Sequence, residues 1–262
     1  MTGLVRRDVT ITFSELLRRP LTEHLVTLTC VSNEVGGDLA GNARWLGLPV
    51  RELLAEAGPL PGADMVLSRS DDGWTAGTPL AALTDPDRQA LLAVGMNGEP
   101  LPVEHGFPVR MVVPGLYGYV SATKWLVELK VTTFTADQGY WTPLGWSALG
   151  PVKIASRIDV PRGGASVAAG PVTVAGVAWA QHVGVRRVEV RVDDGPWTRA
   201  DLADSAGADT WVQWRWSWDA APGRHRLSVR ATDANGVVQT AATAPPAPDG
   251  ATGHHGVDVR VG

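Results

Sequence analysis

The chain contains a single cysteine, Cys30. A lone thiol is buried filler, a nucleophile, or one thiolate ligand to a metal. One cysteine excludes an internal disulfide, and equally a multi-cysteine zinc or iron–sulfur site within the chain. Its setting invites a functional reading. Cys30 closes the run Leu25-Val-Thr-Leu-Thr-Cys30, which alternates like a strand, and the following Val31-Ser-Asn-Glu-Val-Gly-Gly-Asp-Leu-Ala-Gly-Asn-Ala-Arg is a loop by its glycine and asparagine content. Strand ends beside long loops are where sites are commonly built. Among the six histidines, His254 and His255 are adjacent and on a strand would point to opposite faces, so they cannot easily chelate together. His24, His182 and His225 have no ligand-like spacing.

Length and charge bound the remaining choices. The 262 residues suggest one large or two modest domains at about 150 residues each. No apolar run approaches the roughly 18 residues of a membrane span. The net charge of −4 is mild and the basic residues are scattered, so no electrostatic footprint for nucleic acid is present. The first ten residues carry two arginines but no apolar stretch or small-residue cleavage site of a secretory signal; an export signal would lie upstream.

The elements that must position these groups change character along the chain. Val9-Thr-Ile-Thr-Phe13 reads as a short strand, and Ser14 as the cap of a helical turn that stops before Pro20. Pro49-Val-Arg-Glu-Leu-Leu-Ala-Glu-Ala reads as a helix ending at Gly58. Short apolar runs with turn signals at Asp71-Asp-Gly, Thr84-Asp-Pro-Asp and Met96-Asn-Gly fill residues 64–114, which makes the first half mixed α and β. Beyond about residue 160, the runs 172–177, 185–192, 211–218 and 227–231 alternate apolar and polar. Their turns, at Asp193-Asp-Gly, Ala221-Pro-Gly and Asp233-Ala-Asn-Gly, are spaced for a β-sandwich. Within it Trp214, Trp216 and Trp218 share one face, either as sandwich core or as a subunit interface.

Six motifs then occur in order over residues 27–125: Thr27-Leu-Thr-Cys-Val-Ser-Asn-Glu, Gly41-Asn-Ala-Arg-Trp, Met96-Asn-Gly-Glu-Pro-Leu-Pro, His105-Gly-Phe-Pro-Val-Arg, Val113-Pro-Gly and Lys124-Trp. Together they resemble sulfite oxidase and its bacterial molybdopterin-dependent relatives. The second half, ending in Pro248-Asp-Gly-Ala-Thr-Gly-His-His, resembles that family's immunoglobulin-like dimerisation domain. The resemblance implies an α+β molybdopterin domain over residues 1–160, incomplete at its N-terminus, followed by an all-β sandwich over 161–262. It implies a molybdenum–molybdopterin cofactor with Cys30 as the metal ligand and the catalytic centre. His105, Arg110 and Lys124 would contact the pterin, with backbone near Ser121 and Thr123 as weaker contributors. Asn33 would organise the loop after Cys30 by Asx-type hydrogen bonds. Arg44 would line the site, pairing with Glu34, Asp38 or a bound anion. A soft thiolate suits such a metal, and the difficult redox chemistry belongs to the cofactor.

The chain departs from sulfite oxidases proper at two places. Where they carry a substrate arginine shortly after the cysteine and a tyrosine just before Met-Asn-Gly, this sequence has Val35 and Val94. Losing a cation and a hydroxyl removes charge-assisted hydrogen bonds worth about 1.5–3 kcal/mol each. The reading is therefore a two-electron oxidoreductase, with oxygen-atom transfer, acting on a small substrate other than sulfite, such as a sulfoxide, an N-oxide or another oxyanion. It would work with an external electron acceptor or donor, as a homodimer, within an extracytoplasmic, membrane-anchored parent chain. Two alternatives stand beside it: a non-catalytic, truncated homologue serving as an assembly or binding module, and a metal-free thiol enzyme with His105 as the base for Cys30.

Overall fold

The computed structural model describes residues 1–262, which form two compact units. Met1–Val31, Gly41–Pro151 and Ala247–Asp249 make the first; Ser32–Ala40, Val152–Pro246 and Gly250–Gly262 make the second. No helix is long and apolar enough to cross a membrane.

The first unit mixes helices with two small sheets. In one sheet the strands Thr2–Gly3, Leu126–Thr132, Met65–Ser70 and Thr75–Pro79 are neighbours in that order. In the other, Thr22–Thr29, Ala40–Pro49, Leu91–Met96 and Glu99–Pro100 follow one another, and Arg110–Val112 pairs with Leu91–Met96. The turn after Met96 needs positive φ at two successive residues, and Asn97 (55°) with Gly98 (88°) supplies it. The helix Val50–Ala57 buries Val50, Leu53, Leu54 and Ala57, and stops where Gly58 takes φ 68° and donates to the Leu54 carbonyl. Its apolar face joins Leu48, Val66, Met111 and Val131 in the main core. A smaller cluster of Val26, Ala43, Trp45, Leu91 and Val112 packs around the strand that leads to Cys30.

Two local expectations are corrected. Val9–Thr12 is not a strand: no neighbouring strand pairs with it, and Val9 instead buries its side chain in the core. The short helix runs Phe13–Leu17 and is capped by Thr12 rather than Ser14. Thr12 Oγ1 accepts from Glu15 N at 3.2 Å while Glu15 Oε2 accepts from Thr12 N at 2.7 Å. This reciprocal capping box satisfies two orphan donors where a cap at Ser14 would satisfy one.

The second unit is all β. One sheet orders Ala155–Val160, Gly170–Trp179, Val212–Ala220 and Asp201–Leu202; the other orders Ser166–Val167, His255–Val261, Gly223–Asp233, Val185–Val192 and Thr198–Arg199. The strand Ala155–Val160 pairs with Gly170–Trp179, so the sandwich begins ahead of residue 160. Trp214 and Trp218 are buried with Val188, Val190, Leu227 and Val257, and Trp216 packs against the same cluster. Gln213, Arg215 and Ser217 face out. The tryptophans thus build the core of the sandwich.

One turn of this unit is held electrostatically. Asp193 accepts from Arg226 N at 2.8 Å and pairs with His225 Nδ1 at 2.9 Å. The hydrogen bond from Arg226 N, then the one from His225, hold the Asp193 carboxyl below its ordinary range, and the bond to Asp193 raises His225. A raised histidine contributes stability that is complete below its unfolded value of 6.5 and is lost as pH rises through the folded value. The depressed carboxylate contributes above its unfolded value and fades as pH falls through the folded one. Asp193→Asn is therefore expected to flatten the fall in thermal midpoint as pH rises above 6.5, an effect of less than about 1 kcal/mol for so exposed a pair. Scanning calorimetry of both proteins checks this; parallel pH profiles would refute it.

Candidate functional site

Cys30 directly follows the strand Thr22–Thr29, and its thiol is free and exposed. Inert filler is thereby excluded, since buried filler would be shielded from solvent. Two contacts tie this strand to the other predicted residues. Trp45 Nε1 donates to the Val26 carbonyl at 3.4 Å, and the Arg110 guanidinium stacks 5.0 Å from the centre of the Trp45 ring. On the other side a Cβ added to Gly118 would lie 3.9 Å from the Thr29 carbonyl, so the turn Gly118–Val120 runs close past the strand end.

Arg110 is the most unusual of the predicted residues. It is only 7% exposed. Its guanidinium donates to the carbonyls of His105 at 3.0 Å, Ala122 at 3.3 Å and Met111 at 3.4 Å. No carboxylate pairs with it. Burial without a counter-charge pulls its pKa down to about 10, which leaves it a cation at neutral pH. Buried charges are ordinarily paired, and a guanidinium has donors beyond the three used here.

Lys124 and His105 are gathered beside it. The turn Val103–His105 ends at Gly106, whose φ of 109° allows the close approach of its neighbours. A Cβ on Gly106 would fall 3.0 Å from Lys124 Cβ and 3.1 Å from Arg110 Cβ. Lys124 Nζ donates to the Glu104 carbonyl at 2.9 Å and lies 4.3 Å from the Trp125 ring centre. Trp125 Nε1 closes the same turn through the Val103 carbonyl at 2.9 Å. The His105 imidazole is exposed while its carbonyl serves Arg110. Arg110, Lys124 and the turn Val103–His105 are thus neighbours, and the exposed Cys30 thiol stands at the end of the strand that Trp45 ties to Arg110.

The other predicted residues are placed differently. Ser121 is fully buried, and its hydroxyl donates to the carbonyls of Leu116 and Tyr117 at 3.1 and 2.8 Å. Its N–H faces the Gly118 carbonyl at 3.3 Å, so the hydroxyl and N–H of Ser121 shape the turn. Thr123 is likewise buried, against Ser68 at 2.6 Å. Asn33 is 9% exposed, and its Oδ1 accepts from Leu39 N at 2.8 Å, the loop-organising bond expected of it. Arg44 is paired neither with Asp38 nor with Glu34. It is an exposed side chain 3.6 Å from Glu23, because its place on the strand Ala40–Pro49 sets it across from the strand that carries Glu23. Its backbone exchanges bonds with Asn97, through Asn97 N at 2.7 Å and Asn97 Oδ1 at 3.0 Å. Val94 is 6% exposed and belongs to the core, while Val35 stands on the loop surface. His254 and His255 point apart: His254 Nε2 meets the Gln239 carbonyl at 2.9 Å, and His255 Nδ1 accepts from Ile158 N at 3.0 Å. No group of His, Cys, Asp and Glu is arranged to hold a metal. Sequence reasoning missed Trp45 as the platform under Arg110, because nothing in Ala-Arg-Trp announces a partner so distant in the chain.

Residues 1–141 match the model of the oxidoreductase molybdopterin binding domain, and residues 155–229 match that of a bacterial Ig domain. The chain is 31% identical to the mitochondrial sulfite oxidase of Mus musculus, over 81% of this chain and 45% of that one. It is 32% identical to inducible nitrate reductase [NADH] 1 of Glycine max, over 53% of this chain and 19% of that one. The chain spans about half the length of the sulfite oxidases of this set. Among solved structures, the sulfane dehydrogenase SoxCD from Paracoccus pantotrophus superimposes with a TM-score of 0.77 at 26% identity, covering 91% of this chain and 67% of that one. With half of its length matched by that model, an exposed thiol at a strand end and a mixed α/β unit ahead of a sandwich, the chain belongs to the family of oxidoreductase molybdopterin-binding domains.

Proposed function

We propose that this chain is the cofactor-bearing part of a molybdenum oxidoreductase, in which Cys30 supplies the protein's thiolate to the metal. The observation that carries the reading is Arg110, a desolvated guanidinium with carbonyl partners and no carboxylate. Such a group is stabilised by an anion, and the phosphate of a pterin cofactor is one. Lys124 and His105 stand beside it, with ammonium N–H groups and an imidazole free to orient a polar ring system. When bound, the cofactor would supply two-electron redox with oxygen-atom transfer. The protein's part is to bind it, aim it and shape the space for substrate.

Val94 in the core and Val35 on the loop supply neither a hydroxyl nor a cation for a small anion. The substrate is accordingly a small molecule other than sulfite, a sulfoxide, N-oxide or another oxyanion. Electrons pass to or from an external partner, and the sandwich, which begins at the strand Ala155–Val160, is the dimerisation unit. The test is elemental analysis of protein purified from a host that makes molybdopterin, with pterin measured by the fluorescence of its oxidised form. Stoichiometric molybdenum and pterin are expected; a folded, colourless protein with neither would replace this reading with that of a non-catalytic assembly module.

A further inference from the structure

The arginines of the sandwich are scattered along its sequence, yet the pleat of its five-stranded sheet gathers most of them on one surface. On Gly223–Asp233, Leu227, Val229 and Ala231 point into the core, so the alternate residues Arg224, Arg226 and Arg230 face outward. On Val185–Val192, Val188 and Val190 are inside, which sets Arg187 and Arg191 on the same outer face as Glu189. The flanking strands add Arg199, opposite Glu189, and Arg260, opposite Arg224. Few carboxylates answer them. Glu189 meets Arg230 at 3.0 Å and Arg187 at 3.6 Å, and Asp258 meets Arg226 at 3.1 Å. Asp193, at the end of the sheet, is committed to His225 and the Arg226 N–H. Arg191, Arg199, Arg224 and Arg260 pair with no carboxylate.

This arrangement works against the fold that carries it. Arg224 and Arg260 are exposed and directly opposed on antiparallel strands, where like charges repel. The chain as a whole is acidic, at −4, so the face is a local excess of positive charge rather than a share of a basic protein. The arginines are also held in place. The Trp197 ring centre lies 4.8 Å from the Arg191 guanidinium and 4.4 Å from that of Arg230, with the His254 ring edge-on at 5.3 Å. Guanidiniums fixed by a tryptophan lose little freedom on docking, and both residue types are enriched among those that dominate interfaces. Beside them a depression of about 570 Å³ opens between Arg224, Arg226 and Arg260.

We propose that the outer face of this sheet docks a carboxylate-rich segment of a partner protein. The planar fork of arginine matches a carboxylate with two parallel hydrogen bonds. Outward side chains repeat every ~6.8 Å along a strand, so an extended segment with a carboxylate at every second residue meets Arg224 and Arg226 in step. The face measures about 20 Å by 20 Å from strand spacing and rise. That is below the ~800 Å² per partner of a standard interface, which places the contact among transient, salt-sensitive ones. Other anionic occupants match the face less well. A lipid surface is uniformly negative and repels Asp258, whose side chain is 74% exposed. Nucleic-acid-binding domains are basic as a whole, and a second copy docked through the same face would set arginine against arginine. The proposal is independent of the cofactor reading.

The test uses the full chain and a fluorescent peptide of about eight residues, long enough to cross the face, in which Glu alternates with Ser; the same peptide with Gln for Glu is its control. Anisotropy titrations are expected to show the Glu peptide binding at least about tenfold tighter than the Gln peptide at low salt, and most of that preference lost at about 0.5 M salt. The double variant Arg224→Glu/Arg260→Glu should weaken binding of the Glu peptide at least about tenfold. Arg18→Glu/Arg215→Glu changes the net charge equally at exposed positions off the face and should alter binding less than about twofold. Arg224→Glu alone replaces a repelling cross-strand pair with an attracting one, so it should weaken binding with no fall in thermal midpoint, which separates lost affinity from lost folding. Equal weakening in the two double variants, or no preference for Glu over Gln, overturns the proposal. Phosphatidylglycerol vesicles or a DNA duplex bound more tightly than the peptide, and released by Arg224→Glu/Arg260→Glu, would overturn it in favour of lipid or nucleic acid.

Discussion

Cys30→Ser is expected to give a protein that folds like the wild type and holds no molybdenum. The side chain is exposed and contributes nothing to either core, so the change in stability should stay within about 0.5 kcal/mol, as for most surface substitutions. The effect on the metal is of another order. A thiol is deprotonated readily by a bound cation, whereas a hydroxyl is not, and a soft sulfur donor is exchanged for a hard oxygen. Thermal unfolding and elemental analysis on the same preparations separate the two effects. Molybdenum retained at the wild-type level would remove Cys30 from the coordination sphere and leave the cation cluster to account for all binding.

Arg110→Met carries the largest expected loss of stability. Lowering the guanidinium from its ordinary value to about 10 corresponds to a desolvation cost of about 3 kcal/mol. Against it stand three hydrogen bonds from a charged donor, at about 1.5–3 kcal/mol each, and the contact with Trp45, worth about 0.5–2 kcal/mol. The balance favours the arginine even without an anion. Methionine keeps much of the volume but leaves the carbonyls of His105 and Ala122 without their donor, so a net destabilisation of about 2–4 kcal/mol is expected. Because two units unfold, the change should be followed by amide exchange in the strands Leu91–Met96 and Arg110–Val112 rather than by one global midpoint. Equal or greater protection in Arg110→Met would show that the charge is a net burden in the apo protein. Loaded wild type should be further stabilised relative to apo, since a bound anion relieves the desolvated cation.

Much of this was legible in the chain itself. The strand before Cys30, the helix stopped by Gly58, the Asn97-Gly98 turn and the alternation that buries Trp214 and Trp218 all follow from local rules of period, cap and φ. The order of the short motifs pointed to the family and to Cys30, His105, Arg110 and Lys124 together. Local rules also misjudged what depends on neighbours. Val9-Thr-Ile-Thr-Phe13 has the alternation of a strand, but a strand needs a partner edge and none is present; Thr12 became a cap because Glu15 could answer it.

The sequence by itself determined which residues could do chemistry and which segments would be strand, helix or loop, because those depend on side-chain type and short-range geometry. Only the tertiary structure decided which charges lack a partner and which elements hold the site. The motifs single out Arg110 and Lys124 without saying that either is buried; burial and the absence of a carboxylate make the first exceptional. Arg44 gave no sign in the sequence of Glu23 as its neighbour, which the packing of the strands supplied. Arg157 carried no signal at all, since its hydrogen bond to a backbone carbonyl 120 positions away leaves no mark on the residues that flank either end.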